Sequence, residues 1–95
     1  MSEEGYTADW TAIRRASVTV DERREAVAKA RDKLRRAFER DRAALGGDAY
    51  GAELAKHLPK IEQDIFASFA GYLDELDKTS KRLRHGATGY ESAEP

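Results

Sequence analysis

Hydrophobic residues along this chain fall into two long stripes with helical spacing. In the first half Val20, Val27, Leu34, Phe38 and Leu45 are separated by seven, seven, four and seven positions. This spacing places them on one face of a helix, because about 3.6 residues complete each turn. The pattern predicts a first helix over about residues 19–45.

The second stripe is longer and predicts a helix over about residues 50–90. It comprises Leu54, Leu58, Ile61, Ile65, Phe69, Tyr72, Leu76, Leu83 and Tyr90. Phe66 and Leu73 lie about 100 degrees around the helix from this stripe, so the apolar arc is wider than one neighbouring helix can cover. A second partner surface is therefore expected.

Local signals suggest where the first helix begins and ends. Thr19 and Glu22 have the T-x-x-E spacing of a capping box, in which both side chains bind free amides of a first helical turn. Gly46 and Gly47 follow Leu45, and glycine favours helix ends because it adopts the left-handed conformation without a clash. The predicted turn covers residues 46–49.

Three further features complete the predicted organisation. Gly51 belongs to the same glycine-rich turn region, and Pro59 predicts a kink or short break because proline lacks the amide that a helix needs. Residues 1–18 form an arm in which Tyr6, Trp10 and Ile13 allow one short amphipathic turn. Residues 91–95 are expected to form a C-terminal tail.

These elements predict an all-α fold, an antiparallel helix-turn-helix hairpin. The shorter first helix cannot cover the second, so two hairpins are expected to pair into a four-helix bundle. The predicted partner interface comprises Leu34, Phe38, Leu58, Ile61, Ile65, Phe66, Phe69, Leu73 and Leu76.

Composition narrows the classes of function. The chain has 95 residues without cysteine, and its 17 Lys and Arg nearly balance 18 Asp and Glu. That balance argues against a nucleic-acid surface, which needs clustered cations. The first ten residues are acidic and no long apolar run follows, so neither a cleaved signal peptide nor membrane insertion is expected.

Candidate catalytic chemistry is sparse. The antiparallel hairpin would place Asp41 near Lys56 or His57. An acid and a histidine at a seam could exchange a proton, but two solvated side chains near a turn are the favoured interpretation. His57 and His85 lack metal-ligand spacing. We expect a protein that is not an enzyme and binds no cofactor or metal.

The C-terminal segment carries the most specific motif. Tyr90 is followed four residues later by Glu94, and on a continued helix the phenol and the carboxylate would face one way. Together with the length, the absence of cysteine and the glycine-rich turn, this Tyr-x-x-x-Glu resembles the Trp-x-Gly (WXG, ESAT-like) family of small type VII secretion substrates. The resemblance covers about residues 18–94. Leu45 stands at the turn where the family has tryptophan, and variants of this kind resemble divergent actinobacterial members.

The resemblance implies a function. It implies a non-enzymatic substrate, or co-secreted or targeting partner, of a type VII secretion system, exported as a dimer without a cleaved leader. Its signal would be Tyr90 and Glu94, and its destination outside the cell or in the cell envelope after a cytoplasmic stage. Partners would be the secretion machinery and a second copy, another small helical protein, or the helical domain of a larger effector. The alternative is a cytosolic helical adaptor or chaperone that binds such a domain and is not exported.

Overall fold

Two long antiparallel α-helices make up the computed structural model of this protein. It describes residues 3–45 and 47–93, and side chains between residues 9 and 92. Helix α1 spans Glu3–Ala44 and helix α2 spans Ala49–Ala93, and the two pack against each other along their lengths. The described residues contain no strand, and the predicted all-α hairpin is confirmed. Whether two hairpins pair remains a prediction.

Helix α1 begins much earlier than predicted. The segment 3–18, expected to be an arm with one short turn, is part of α1. The Thr19 hydroxyl donates to the Arg15 carbonyl oxygen at 3.2 Å, a bond typical of a helix interior, so the predicted capping box at Thr19 is wrong. The β-branched residues around Thr19 have only modest helix propensity, and packing against the C-terminal part of α2 overrides it.

The turn is short and closed by backbone and side-chain bonds. The Leu45 amide donates to the carbonyl oxygens of Asp41 at 3.1 Å and Arg42 at 3.2 Å. Asp48 then caps α2, because its carboxylate accepts a bond from the Gly51 amide at 2.7 Å. Gly47 does not adopt the left-handed conformation predicted for the turn, and Gly46 lies outside the described residues.

Helix α2 is also longer than predicted. It continues through Pro59, so the predicted break does not form, and it extends to Ala93. Residues 91–93, expected in the tail, are therefore helical. The fold is a rod with extents of 72 × 16 × 15 Å.

Small side chains bring the two helices together far from the turn. Ser17 and Ser80 are 2% and 1% exposed, and Ala87 is fully buried. The Ser80 hydroxyl donates to the Ser17 carbonyl oxygen across the seam at 3.5 Å. Nearer the turn the contact is aromatic, with the Phe38 and Phe66 rings edge to face at 6.1 Å. The seam therefore changes from small to large residues along the rod.

Ser80→Leu should force the helices apart, because no space exists at this position for a larger side chain. We expect it to lower the free energy of unfolding by about 1–3 kcal/mol, measured by urea denaturation followed by circular dichroism. Ser92→Leu, the same change at an exposed position of α2, is the control. Equal stability of the two variants would contradict close packing at Ser80.

Candidate protein interface

One side of the hairpin is apolar and only half covered. Arg23 and Val27 of α1 face Ile65, Ser68, Phe69 and Tyr72 of α2 around a shallow groove. Leu54 and Ile61 precede Ser68 at intervals of seven residues, and Leu58 precedes Ile65 by the same interval, so the continuous helix places them on this side. We call Val27, Leu54, Leu58, Ile61, Ile65, Phe69 and Tyr72 the apolar face.

Large side chains of the apolar face reach solvent. Ile61 is 44% exposed, Tyr72 45% and Leu54 37%. By contrast, the most deeply buried positions in the described part of the chain are small residues such as Ala87 and Ser80. A contiguous apolar surface of this kind is typical of a site for another protein.

The opposite side of the seam is polar. Its groove is lined by Ala28, Ala70 and Leu73 together with six charged residues. We call these six the charged face: Asp21, Arg24, Glu25, Arg31, Asp74 and Asp77. The hairpin as a whole is therefore amphipathic, and only one of its sides resembles an interface.

The structure divides the predicted interface residues between the apolar face and the seam. Leu58, Ile61, Ile65 and Phe69 belong to the apolar face. Leu34 and Leu76 are half-buried. Phe38 and Phe66 contact each other within the hairpin, where the Arg35 guanidinium lies 4.7 Å from the Phe66 ring centroid. Leu73 lines the groove of the charged face.

Ion pairs between the helices were not anticipated from the sequence. They are Arg14–Glu91, Asp21–Arg84, Arg24–Asp77 at 3.6 Å and Arg42–Glu62. Exposed pairs of this type contribute about 0–1 kcal/mol each. Their distribution from one end of the rod to the other makes them a means of fixing the antiparallel register.

The candidate acid and base pair at the turn does not form. His57 is exposed and its Nε2 lies 3.5 Å from Glu53 Oε1 of the same helix. Asp41 is exposed, and its neighbour Arg42 reaches across to Glu62. Among the described residues no group of three or more histidine and acidic side chains is arranged to hold a metal ion.

The C-terminal segment lies beside the start of α1. Arg14 pairs with Glu91 and also lies over the Trp10 ring, with the guanidinium carbon 5.5 Å from the ring centroid. Tyr90, the first residue of the predicted signal, is helical and 42% exposed. Glu94, its second residue, lies outside the described residues.

Two glycines weaken this segment. Gly86 and Gly89 lie within α2, where glycine costs about 1 kcal/mol relative to alanine. A Cβ atom at either position would meet nothing within 4 Å. Packing within the hairpin therefore does not require glycine at these positions.

Asp77 provides a test of the electrostatic contribution of one carboxylate, which interacts with Lys81 of its own helix and with Arg24 of α1. Its hydrogen bond with Lys81 lowers the pKa of Asp77 below the usual 3.8; partial burial opposes this, and the charges of Lys81, Arg24 and Arg84 add to it. A lowered pKa in the folded state stabilises the fold above pH 3.8, and this stabilisation is lost as the pH falls through the folded-state value.

Asp77→Asn should therefore unfold at a lower urea concentration than the wild type at neutral pH, and the difference should disappear well below pH 3.8. Urea titrations across this range measure it. Asp64→Asn removes a carboxylate that pairs only with Lys60 of its own helix, so its effect on the urea midpoint should be smaller. A difference between Asp77→Asn and wild type that persists in acid would contradict the electrostatic explanation.

Neither described helix contains a stretch long and apolar enough to cross a bilayer. No protein family, curated protein or solved structure matches this sequence.

Proposed function

We propose that this hairpin is one half of a four-helix assembly in which a second helical hairpin covers the apolar face. The observation that carries the proposal is the exposure of large apolar side chains on one side of a two-helix rod. Two helices alone leave these side chains in contact with water, whereas two further helices would bury them. The charged face would remain the outer surface of the assembly.

The size of the exposed surface supports the proposal of a stable partner. The chain exposes 7086 Å², whereas a compact protein of the same mass exposes about 5,500 Å². The excess of about 1,600 Å² exceeds the roughly 800 Å² that each partner buries in a standard interface. A hairpin-sized partner lying along the rod is the economical way to cover it.

Helix α1 offers a suitable surface for close helix packing. Ala30 and Ala37 follow Arg23 at intervals of seven residues and so lie on the same side of α1 as the groove. Small side chains let a partner helix approach closely. Arg23 supplies the charge in the groove lining, where an acidic residue of the partner could pair with it.

In the cell, we propose that the assembly is a type VII secretion substrate, or the co-secreted partner of one, and acts by binding alone. The sequence resemblance and the hairpin shape support this proposal. The position of Tyr90 supports it further, because a partly exposed tyrosine near the end of the rod is accessible to a receptor. In this proposal Tyr90 and Glu94 form the export signal.

Ile61→Asp should dissociate the assembly and leave the hairpin folded, because Ile61 is already 44% exposed in the isolated hairpin. Sedimentation equilibrium and native mass spectrometry would show a shift to monomer. Ala67→Asp places the same charge at another exposed position of α2, away from the apolar face, and should leave the mass unchanged. An unchanged mass for Ile61→Asp would contradict the interface.

Tyr90→Ala should abolish export, with at least a tenfold loss of protein outside the producing cells, while circular dichroism stays unchanged. The control is Tyr50→Ala, which removes a tyrosine that is 79% exposed at the opposite end of the rod. Immunoblots of cell and culture fractions measure both. Retention of the wild-type protein inside the cells would favour the cytosolic adaptor instead.

A further inference from the structure

The C-terminal part of α2 has little intrinsic tendency to be helical. Residues 86–92 include Gly86, Gly89 and the β-branched Thr88. Each glycine disfavours a helix by about fivefold relative to alanine. Helical structure here consequently depends on contacts with the rest of the molecule.

Those contacts come from the first part of α1. Ala87 is fully buried, and Arg14 pairs with Glu91 four residues further along α2. Arg14 is itself held at two points, since it also lies over the Trp10 ring. Seven residues before Ala87 in α2, the Ser80 hydroxyl donates to the Ser17 carbonyl oxygen. Residues 10–17 thus supply the contacts that hold the end of α2 in a helical conformation.

Steric packing in this arrangement does not require glycine at positions 86 and 89. A Cβ at Gly86 or Gly89 would lie in open space, so alanine would strengthen the helix without disturbing the hairpin. Segments that open locally have few buried contacts and weak local structure. The end of α2 combines weak helix propensity with an interhelical ion pair, Arg14–Glu91, whose side chains are 42% and 49% exposed.

We propose that residues 86–92 are a two-state segment that alternates between a helix docked on residues 10–17 and an undocked form. The Arg14–Glu91 ion pair, which we call the latch, stabilises the docked form. The undocked form is the one that a receptor binds, because Tyr90 is only 42% exposed in the docked helix and undocking would expose the rest of its side chain. This last step rests on the proposed export function. The two-state segment itself does not.

Amide hydrogen exchange in the purified full-length protein, followed by NMR, tests the segment directly. Arg14→Ala should speed exchange of residues 87–92 severalfold by removing the latch. The double change Gly86→Ala and Gly89→Ala should slow exchange there, by about fivefold for each glycine. Gly71→Ala is the matched control: Gly71 is also helical with open space around it, so this variant should leave residues 87–92 unchanged.

Two results would overturn the two-state segment. One is exchange at residues 87–92 that is unaffected by Arg14→Ala. The other is a glycine double variant that loses its partner in native mass spectrometry without slower exchange. This second result would mean that glycine is needed at these positions so that a partner helix can approach closely, and not to weaken α2.

Export measurements then test the functional step. The glycine double variant should be exported several times less than the wild type, and Arg14→Ala at least as well as the wild type. Slower exchange with unchanged export would overturn undocking as the receptor-binding step. If instead Tyr90→Ala is exported normally, the proposed function fails while the exchange results still decide the two-state segment.

Discussion

Two helices packed side by side touch along a line, and this constraint governs the whole structure. A line of contact can bury small side chains completely, as at Ser17, Ser80 and Ala87, but it leaves large ones such as Ile61 and Tyr72 partly in water. Burial of apolar surface is the main favourable contribution to folding, at roughly 25 cal/mol per Å². In the proposed assembly, a second hairpin would remove this remaining apolar surface from water.

The two sides of the seam respond to this constraint in different ways. On the charged face, the Arg24 and Asp77 side chains form an ion pair across the seam, and both are partly exposed to solvent. On the apolar face, Phe69 and Tyr72 line a groove with little charge. In the proposed assembly, this asymmetry limits the partner to the apolar face and leaves the charged face as the outer surface.

Hydrophobic periodicity was sufficient to predict the hairpin, because two helical stripes joined by a glycine-rich turn allow few other arrangements. The beginning of α1 could not be predicted in the same way. Thr19 and Glu22 match a capping box locally, yet residues 3–18 are helical. Tertiary contacts such as Arg14 with Glu91 join positions 77 residues apart, and local sequence patterns cannot detect them. The division of aromatic residues between seam and surface, with Phe66 against Phe38, likewise depends on the register of the two helices.

The extension of α1 to Glu3 has a geometric consequence. The start of α1 and the end of α2 lie together at one end of a rod that is 72 Å long, and the turn lies at the other. A polypeptide fused to either end of the hairpin would be carried beside the same tip. A probe placed at Tyr50 would report on the opposite tip, beyond the reach of most single-domain proteins bound at the first. The two tips of the rod are therefore far enough apart for each to be labelled or bound without contact with the other.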